Sequence, residues 1–112
     1  MGGTMATTTI DPDANLATLI NVFTVDPAHQ QELVEVLVTA TEDVMRHRPG
    51  FVAANIHAGV EGTRVVNYAQ WESADAFRAM LAAPECQEHM KAALALAKAN
   101  PQLYTVESVH HI

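Results

Sequence analysis

The chain has 112 residues, of which 49% are hydrophobic, and 13 acidic against 6 basic residues give a formal charge of −7. This negative charge excludes nucleic acid and anionic membrane surfaces as partners. Cys86 is the only cysteine, which excludes an internal disulfide. No stretch approaches the roughly 20 apolar residues that a membrane span requires. We expect a cytoplasmic single-domain protein, and because a domain this size buries only about two thirds of its unfolded surface, association with a second chain would stabilise it.

The first 15 residues show no hydrophobic period. Glycines at positions 2 and 3, threonines at positions 7–9 and the run Asp11-Pro12-Asp13 are typical of a segment without regular structure. We expect a flexible tail over residues 1–15 and one domain over residues 16–112.

A strand and a helix are predicted next. Leu16–Val25 is rich in β-branched and apolar residues, as a first strand would be. Asn21 is an amide within this strand, and two interpretations fit it: it bonds to a neighbouring strand, or it lines a pocket. Asp26 as N-cap and Pro27 at the first position begin a helix whose apolar residues continue to about Arg48.

Two further extended runs, Phe51–Ala58 and Thr63–Glu72, flank the turn signal Glu61-Gly62 and predict a β-hairpin. A two-residue loop makes the numbers of paired residues sum to 123, which places Asn67 and His57 on opposite faces of the sheet. A bulged three-residue loop reverses this parity and brings both side chains to one face. The sequence leaves the two registers open.

The second strand of the hairpin carries most of the unusual residues. Because side chains alternate along a strand, Asn67 and Trp71, the only tryptophan, share one face, whereas Tyr68 points to the other. Ser73 follows as the N-cap of a helix. Two interpretations fit this arrangement: the amide and the indole line a pocket, or they bond to the backbone within a packed strand.

Two helices and a last strand complete the chain. Ser73–Ala83 and Pro84–Ala99 have helical apolar spacing, Asn100-Pro101 ends the second helix, and Leu103–Ile112 alternates as a strand does. The order β-α-β-β-α-β predicts a ferredoxin-like α+β fold, in which an antiparallel sheet carries helices on one face.

No motif indicates a metal or a cofactor. His110 and His111 point to opposite faces of the predicted strand, and Glu85 with His89 offers only two ligands, fewer than a structural metal site uses. The sequence also lacks glycine-rich nucleotide or phosphate loops and a Cys-x-x-Cys pair. We therefore expect neither a metal nor a bound cofactor.

The run from Val65 to Ser73 resembles the signature strand of the antibiotic biosynthesis monooxygenase family, most closely that of the actinorhodin-type anthrone monooxygenases. Pro49-Gly50-Phe51 and His57-Ala58 match as well, and the pattern of elements is similar over residues 17–110. The resemblance implies a homodimer that forms a dimeric α+β barrel. It also implies an enzyme that oxidises an electron-rich polycyclic phenol to a quinone with O2, without flavin, haem or metal.

The resemblance also implies roles for individual residues. Asn67 and Trp71 would donate hydrogen bonds to the substrate oxygen or to a peroxy intermediate, and His57 would be the base or proton shuttle. The residues expected to contact the substrate are Asn21, Phe23, Tyr68, Phe77, His89 and Lys91. Phe77 and Lys91 depart from the family pattern, which has a tyrosine and an arginine there, and a phenylalanine ring cannot donate a proton.

Two other functions are compatible with the same fold. A haem-degrading monooxygenase of this superfamily would use an asparagine, a tryptophan and a histidine, and Asn21, Trp71 and His89 are of the right types. A non-catalytic or cyclase-like barrel that binds a polyketide is the other alternative, because fold does not fix function.

Overall fold

The computed structural model describes residues 6–112, which form a four-stranded antiparallel sheet with three α-helices over one face. The elements are β1 (Ala17–Val25), α1 (Gln30–Asp43), β2 (Phe51–Ala58), β3 (Arg64–Trp71), α2 (Ala74–Ala82), α3 (Pro84–Leu94) and β4 (Ala97–Tyr104). The strand order is β2-β3-β1-β4, and every neighbouring pair is antiparallel. The predicted ferredoxin-like α+β fold is confirmed.

Helix starts follow the predicted capping residues. The Ser73 hydroxyl accepts a hydrogen bond of 3.0 Å from the backbone N–H of Ala76 and begins α2. Asp26 accepts a hydrogen bond of 2.9 Å from the N–H of Ala28, but it begins a 3₁₀ turn over Pro27–His29 rather than an α-helix. The prediction of one helix from Asp26 to Arg48 was therefore wrong at both ends, because α1 is flanked by this turn and by a second 3₁₀ turn after it.

Gly50 lets α2 approach the start of β2. Its φ of 83° lies in the left-handed region, and a Cβ added there would lie 2.5 Å from the Cβ of Ala76. Only glycine fits both requirements without strain. This close approach brings the α2 side chains over the first residue of β2.

The C-terminal third differs most from the prediction. The second helix ends at Leu94 instead of Ala99, and the last strand is Ala97–Tyr104 instead of Leu103–Ile112. This segment pairs with the edge of β1 along its whole length, which outweighs the helical propensity of its alanines. Pro101 lies in an edge strand, where its missing N–H is tolerated.

The hairpin takes the register of the two-residue loop. Paired residue numbers sum to 123 from Ala53 and Gln70 through to Ala58 and Val65. A bulge does occur, but at the other end of the strand, where Phe51 pairs with Trp71 and Val52 is the extra residue. The bulge therefore turns the Phe51 ring towards the helices and leaves His57 on the opposite face.

Part of the predicted N-terminal tail lies against the face of the sheet that the helices do not cover. The Thr8 hydroxyl donates a hydrogen bond of 2.7 Å to the Asn55 side chain, and the Gln70 amide donates one of 2.9 Å to the carbonyl of Thr9. Gln70 is only 5% exposed as a result. Residues 1–5 of the expected tail lie outside the described part of the chain. Over residues 6–112, every helix is too short or too polar to span a lipid bilayer.

Candidate active site

A cavity of about 410 Å³ lies between the helices and the sheet. The buried core is divided into two clusters, one around Leu19 and Trp71 and one around Phe23 and Leu33. The cavity is lined by residues of both clusters and by the ends of α1, α2 and α3 that face them. Its wall is mostly apolar, as is usual for a site that binds a small organic molecule.

Asn67 and Trp71 line this cavity from the same face of β3. Val65 and Ala69 alternate with them along β3, and both are buried under the helices. This confirms the prediction that these four residues share the core-facing side of the strand. The Trp71 indole is 2% exposed and packs edge-on against the Phe51 ring, with ring centroids 5.5 Å apart. The Phe77 ring of α2 also packs against the indole, with ring centroids 6.3 Å apart. The aromatic contacts fix the indole in one orientation.

Two polar atoms in the cavity wall are buried without hydrogen-bond partners. Among the described residues, Asn67 Oδ1 and Trp71 Nε1 have no hydrogen bond, and the third such atom, Arg48 Nε, lies outside the cavity. A buried polar atom left unbonded costs about 1–3 kcal/mol, so such atoms are rare in folded proteins. The amide and the indole N–H therefore present an acceptor and a donor to whatever fills the cavity.

Asn21 lies beside this pair. It is the cross-strand neighbour of Asn67 on β1, and it also lines the cavity. Its Oδ1 accepts a hydrogen bond of 3.1 Å from the backbone N–H of Asn100 on β4. Both interpretations of Asn21 thus hold, since it bonds to a neighbouring strand and forms part of the cavity wall.

Of the other predicted site residues, Phe23, Phe77 and His89 line the cavity. Lys91 does not line it and is exposed on α3. Tyr68 lies on the other face of the sheet, where its hydroxyl accepts a hydrogen bond of 2.7 Å from the Gln70 amide.

His57 is not brought together with Asn67 and Trp71. The hairpin register pairs it with Val66, whose side chain points to the face away from the helices. The imidazole is exposed and lies 3.1 Å from the carbonyl oxygen of Asn55. Of the two predicted registers, the one with a bulged three-residue loop, which would place His57 in the cavity, was wrong. The bulge lies at Val52 and not in the loop.

Several cavity residues were not singled out from the sequence. They include Phe51, Thr41, Met45, Met80, Leu81 and Met90. The helical period could have found those on α1 and α2, because the same apolar face that covers a sheet also lines any gap above it. Phe51 carried no such signal, since its orientation depends on the bulge.

Cys86 of α3 lies near the ion pair between Arg48 and Glu85. The thiol is fully buried, and burial raises its pKa, a shift that Arg48 opposes and Glu85 reinforces. A neutral thiol is a poor nucleophile, which supports its interpretation as a small core residue. Within residues 6–112, no three His, Cys, Asp or Glu side chains are grouped closely enough to hold a metal ion.

Comparison with known proteins places this chain in a family. A sequence profile described as antibiotic biosynthesis monooxygenase matches residues 16–92. The chain belongs to the antibiotic biosynthesis monooxygenase family. The chain is also 48% identical over 93 residues to tetracenomycin-F1 monooxygenase of Streptomyces glaucescens, an alignment that covers 83% of each protein.

Solved structures in this family have the same fold. A monooxygenase from the gene ActVA-Orf6 of Streptomyces coelicolor, in complex with nanaomycin D, superposes with a TM-score of 0.80 at 34% identity, covering 91% of this chain and 96% of that one. SnoaB, a cofactor-independent oxygenase from Streptomyces nogalater, superposes with a TM-score of 0.74 at 32% identity, covering 85% and 96%. This member of the family is a monooxygenase, as predicted.

Proposed function

We propose that the protein oxidises an electron-rich polycyclic aromatic phenol, a polyketide of the tetracenomycin type, to a quinone with O2 and without a bound cofactor. The observation that supports this most is the pair of unbonded polar atoms, Asn67 Oδ1 and Trp71 Nε1, in the wall of a largely apolar cavity. The substrate class is supported by one relative, tetracenomycin-F1 monooxygenase. SnoaB is a cofactor-independent oxygenase, which supports the absence of a bound cofactor here.

The chemistry asks little of the protein because the substrate supplies the electrons. Removal of one proton gives a delocalised carbanion or phenolate, which can pass an electron to triplet O2. The Trp71 N–H and the Nδ2 hydrogens of Asn67 would donate hydrogen bonds to the oxygen on which negative charge develops, whereas Asn67 Oδ1 would accept one from a hydroxyl of the substrate. The largely apolar wall around them strengthens those bonds, because it lowers the local dielectric constant.

Two departures from the family pattern affect this proposal differently. Phe77 contributes an apolar ring beside Trp71 and no hydroxyl, so a proton that the family tyrosine could donate must come from another group. Lys91 is exposed and does not line the cavity. The cavity chemistry proposed here uses neither residue as an acid.

We expect the purified protein to be colourless and its quinone-forming activity to be unchanged by a chelator. The test is oxygen consumption with tetracenomycin F1 or a dihydroxyanthracene, in protein stripped of metal and checked for flavin by absorbance. Loss of activity on chelation would contradict the proposal. Because Asn21, Trp71 and His89 all line the cavity, a Soret band on adding haem, with haem breakdown, would favour the haem-degrading alternative instead.

We further propose a homodimer that uses the sheet face away from the helices. Ile20, Val22 and Val66 are only half-buried there, and Val22 is the cross-strand neighbour of Val66. A contiguous apolar surface of this kind is typical of an interface between subunits.

Sedimentation equilibrium at micromolar concentration should therefore give twice the chain mass of 12.1 kDa. Replacing Val22 by arginine should shift the mass to that of a monomer, whereas the same change at the exposed Val38 of α1 should not. A wild-type monomer would refute the dimer.

A further inference from the structure

We propose that His89 is the base that accepts the substrate proton in this cavity, an assignment that rests on the proposed function. Among the described residues, His89 is the only titratable side chain that lines the cavity. The other polar lining groups are amides, a hydroxyl and an indole, none of which accepts a proton near neutral pH. Imidazole ordinarily gains and loses its proton between about pH 5 and 8, which suits a general base.

The surroundings of His89 carry no competing charge on the cavity side. The elements that pack against α3 present only uncharged side chains to the cavity: Leu37, Ala40 and Thr41 from α1, Phe77, Met80 and Leu81 from α2, and Ala99 and Pro101 from β4. On α3 itself, Glu85 is one turn earlier and forms an ion pair of 2.7 Å with Arg48, while Glu88 is exposed. No carboxylate of residues 6–112 lines the cavity, so none of them can take the proton there in place of the imidazole.

The position of His89 also lets the proton leave the cavity. Its side chain is half-buried, and the lining residues Leu81, Leu94 and Pro101 are exposed, so the cavity opens to solvent at this end. Asn67 and Trp71 line the cavity from the sheet, where the indole is 2% exposed. His89 thus connects a buried, apolar reaction site with bulk water, as a proton shuttle must.

The protons balance for a substrate whose reacting ring carbon bears two hydrogens. His89 takes the first C–H proton, and the carbanion adds O2 through an electron transfer and radical recombination to give a peroxide anion. The imidazolium returns its proton to that anion and forms a hydroperoxide. His89 then takes the second C–H proton as the O–O bond breaks, which leaves the carbonyl of the quinone, and the departing hydroxide with that proton becomes water. One oxygen atom of O2 enters the product and the other leaves as water.

The experiment compares His89→Gln with two other histidine variants. His47→Gln, in the exposed 3₁₀ turn after α1, is the matched control, and His57→Gln tests the histidine on the opposite face of the sheet. For each variant, kcat/KM for oxygen consumption is measured against pH, with and without added imidazole. Binding of the quinone product is followed by quenching of Trp71, the only tryptophan of the chain.

We expect His89→Gln to lower kcat/KM by about 10²-fold or more near neutral pH, the usual scale for loss of a general base. Product binding should change less than threefold, imidazole should restore part of the rate, and the deficit should shrink at high pH, where the substrate ionises without help. His47→Gln should match the wild type throughout.

Three outcomes would overturn the assignment. In the first, His89→Gln keeps the wild-type pH profile of kcat/KM. In the second, His89→Gln lowers kcat/KM only because the substrate and product bind more weakly. In the third, His57→Gln lowers kcat/KM and His89→Gln does not. In all three the wild type still consumes oxygen, so the proposed function would stand. A wild type without oxygen consumption would refute both.

Discussion

Asn67→Ala should lower turnover by about 10²–10³-fold while leaving the free energy of unfolding unchanged or slightly higher. The loss of rate follows from removing one group that stabilises charge on the substrate oxygen. The stability should not fall, because Asn67 Oδ1 has no hydrogen bond within the protein and its removal takes away an unbonded buried polar atom. Single-substrate kinetics and thermal unfolding on the same preparation measure both quantities.

Asn55→Ala is the matched control for this variant. Asn55 lies on the neighbouring strand β2, and its amide donates a hydrogen bond of 3.0 Å to the Tyr68 carbonyl and accepts one of 2.7 Å from Thr8. Loss of two such bonds should lower stability by about 1–2 kcal/mol, with turnover per folded molecule near that of the wild type. The two variants should thus show opposite patterns. An Asn67→Ala protein that is less stable yet fully active would show that this amide is ordinary core.

Trp71→Phe should lower turnover more than it weakens substrate binding. The substitution keeps most of the apolar ring beside Phe51 and Phe77 but removes the indole N–H, which has no partner in the protein. A donor used mainly in the transition state affects kcat, whereas lost packing affects KM and stability. We expect a fall in kcat of about 10²-fold and a stability loss smaller than the roughly 3 kcal/mol of a full truncation to alanine.

Equilibrium dialysis of the product is the binding measurement here, because the variant lacks the tryptophan used for fluorescence. Phe77→Leu is a suitable comparison, since it alters packing against the same indole and removes no hydrogen-bond donor. If Trp71→Phe raised KM and left kcat unchanged, the indole would be a packing residue only.

The sequence was sufficient to predict the strand that carries the site. The alternation through Val65, Asn67, Ala69 and Trp71 decides which side chains face the helices, and the structure buries Val65, Ala69 and Trp71 there. The Ser73 cap is a local hydrogen bond, so it too could be predicted from residue types. These features depend only on neighbours in the chain.

Features set by distant contacts could not be predicted in this way. The alanines at 97 and 99 favour a helix locally, but the open edge of β1 pairs with them as a strand. His57 lies on one side of the sheet or the other according to where the hairpin accommodates a single extra residue. That residue is Val52, and the bulge there also turns Phe51 towards the cavity. Among the described residues, His89 alone brings a titratable side chain to the cavity, and this depends on how the three helices pack against one another and against the sheet.

We propose that this protein transfers one atom of O2 to an aromatic substrate without a cofactor. The most direct test is to incubate metal-stripped, flavin-free protein with tetracenomycin F1 under isotopically labelled O2 and to analyse the product by mass spectrometry. We expect the wild type to form a quinone that carries one labelled oxygen atom, and Asn67→Ala to form the same product much more slowly. A product whose new oxygen comes from water, or product formation only after flavin, haem or metal is added, would contradict it.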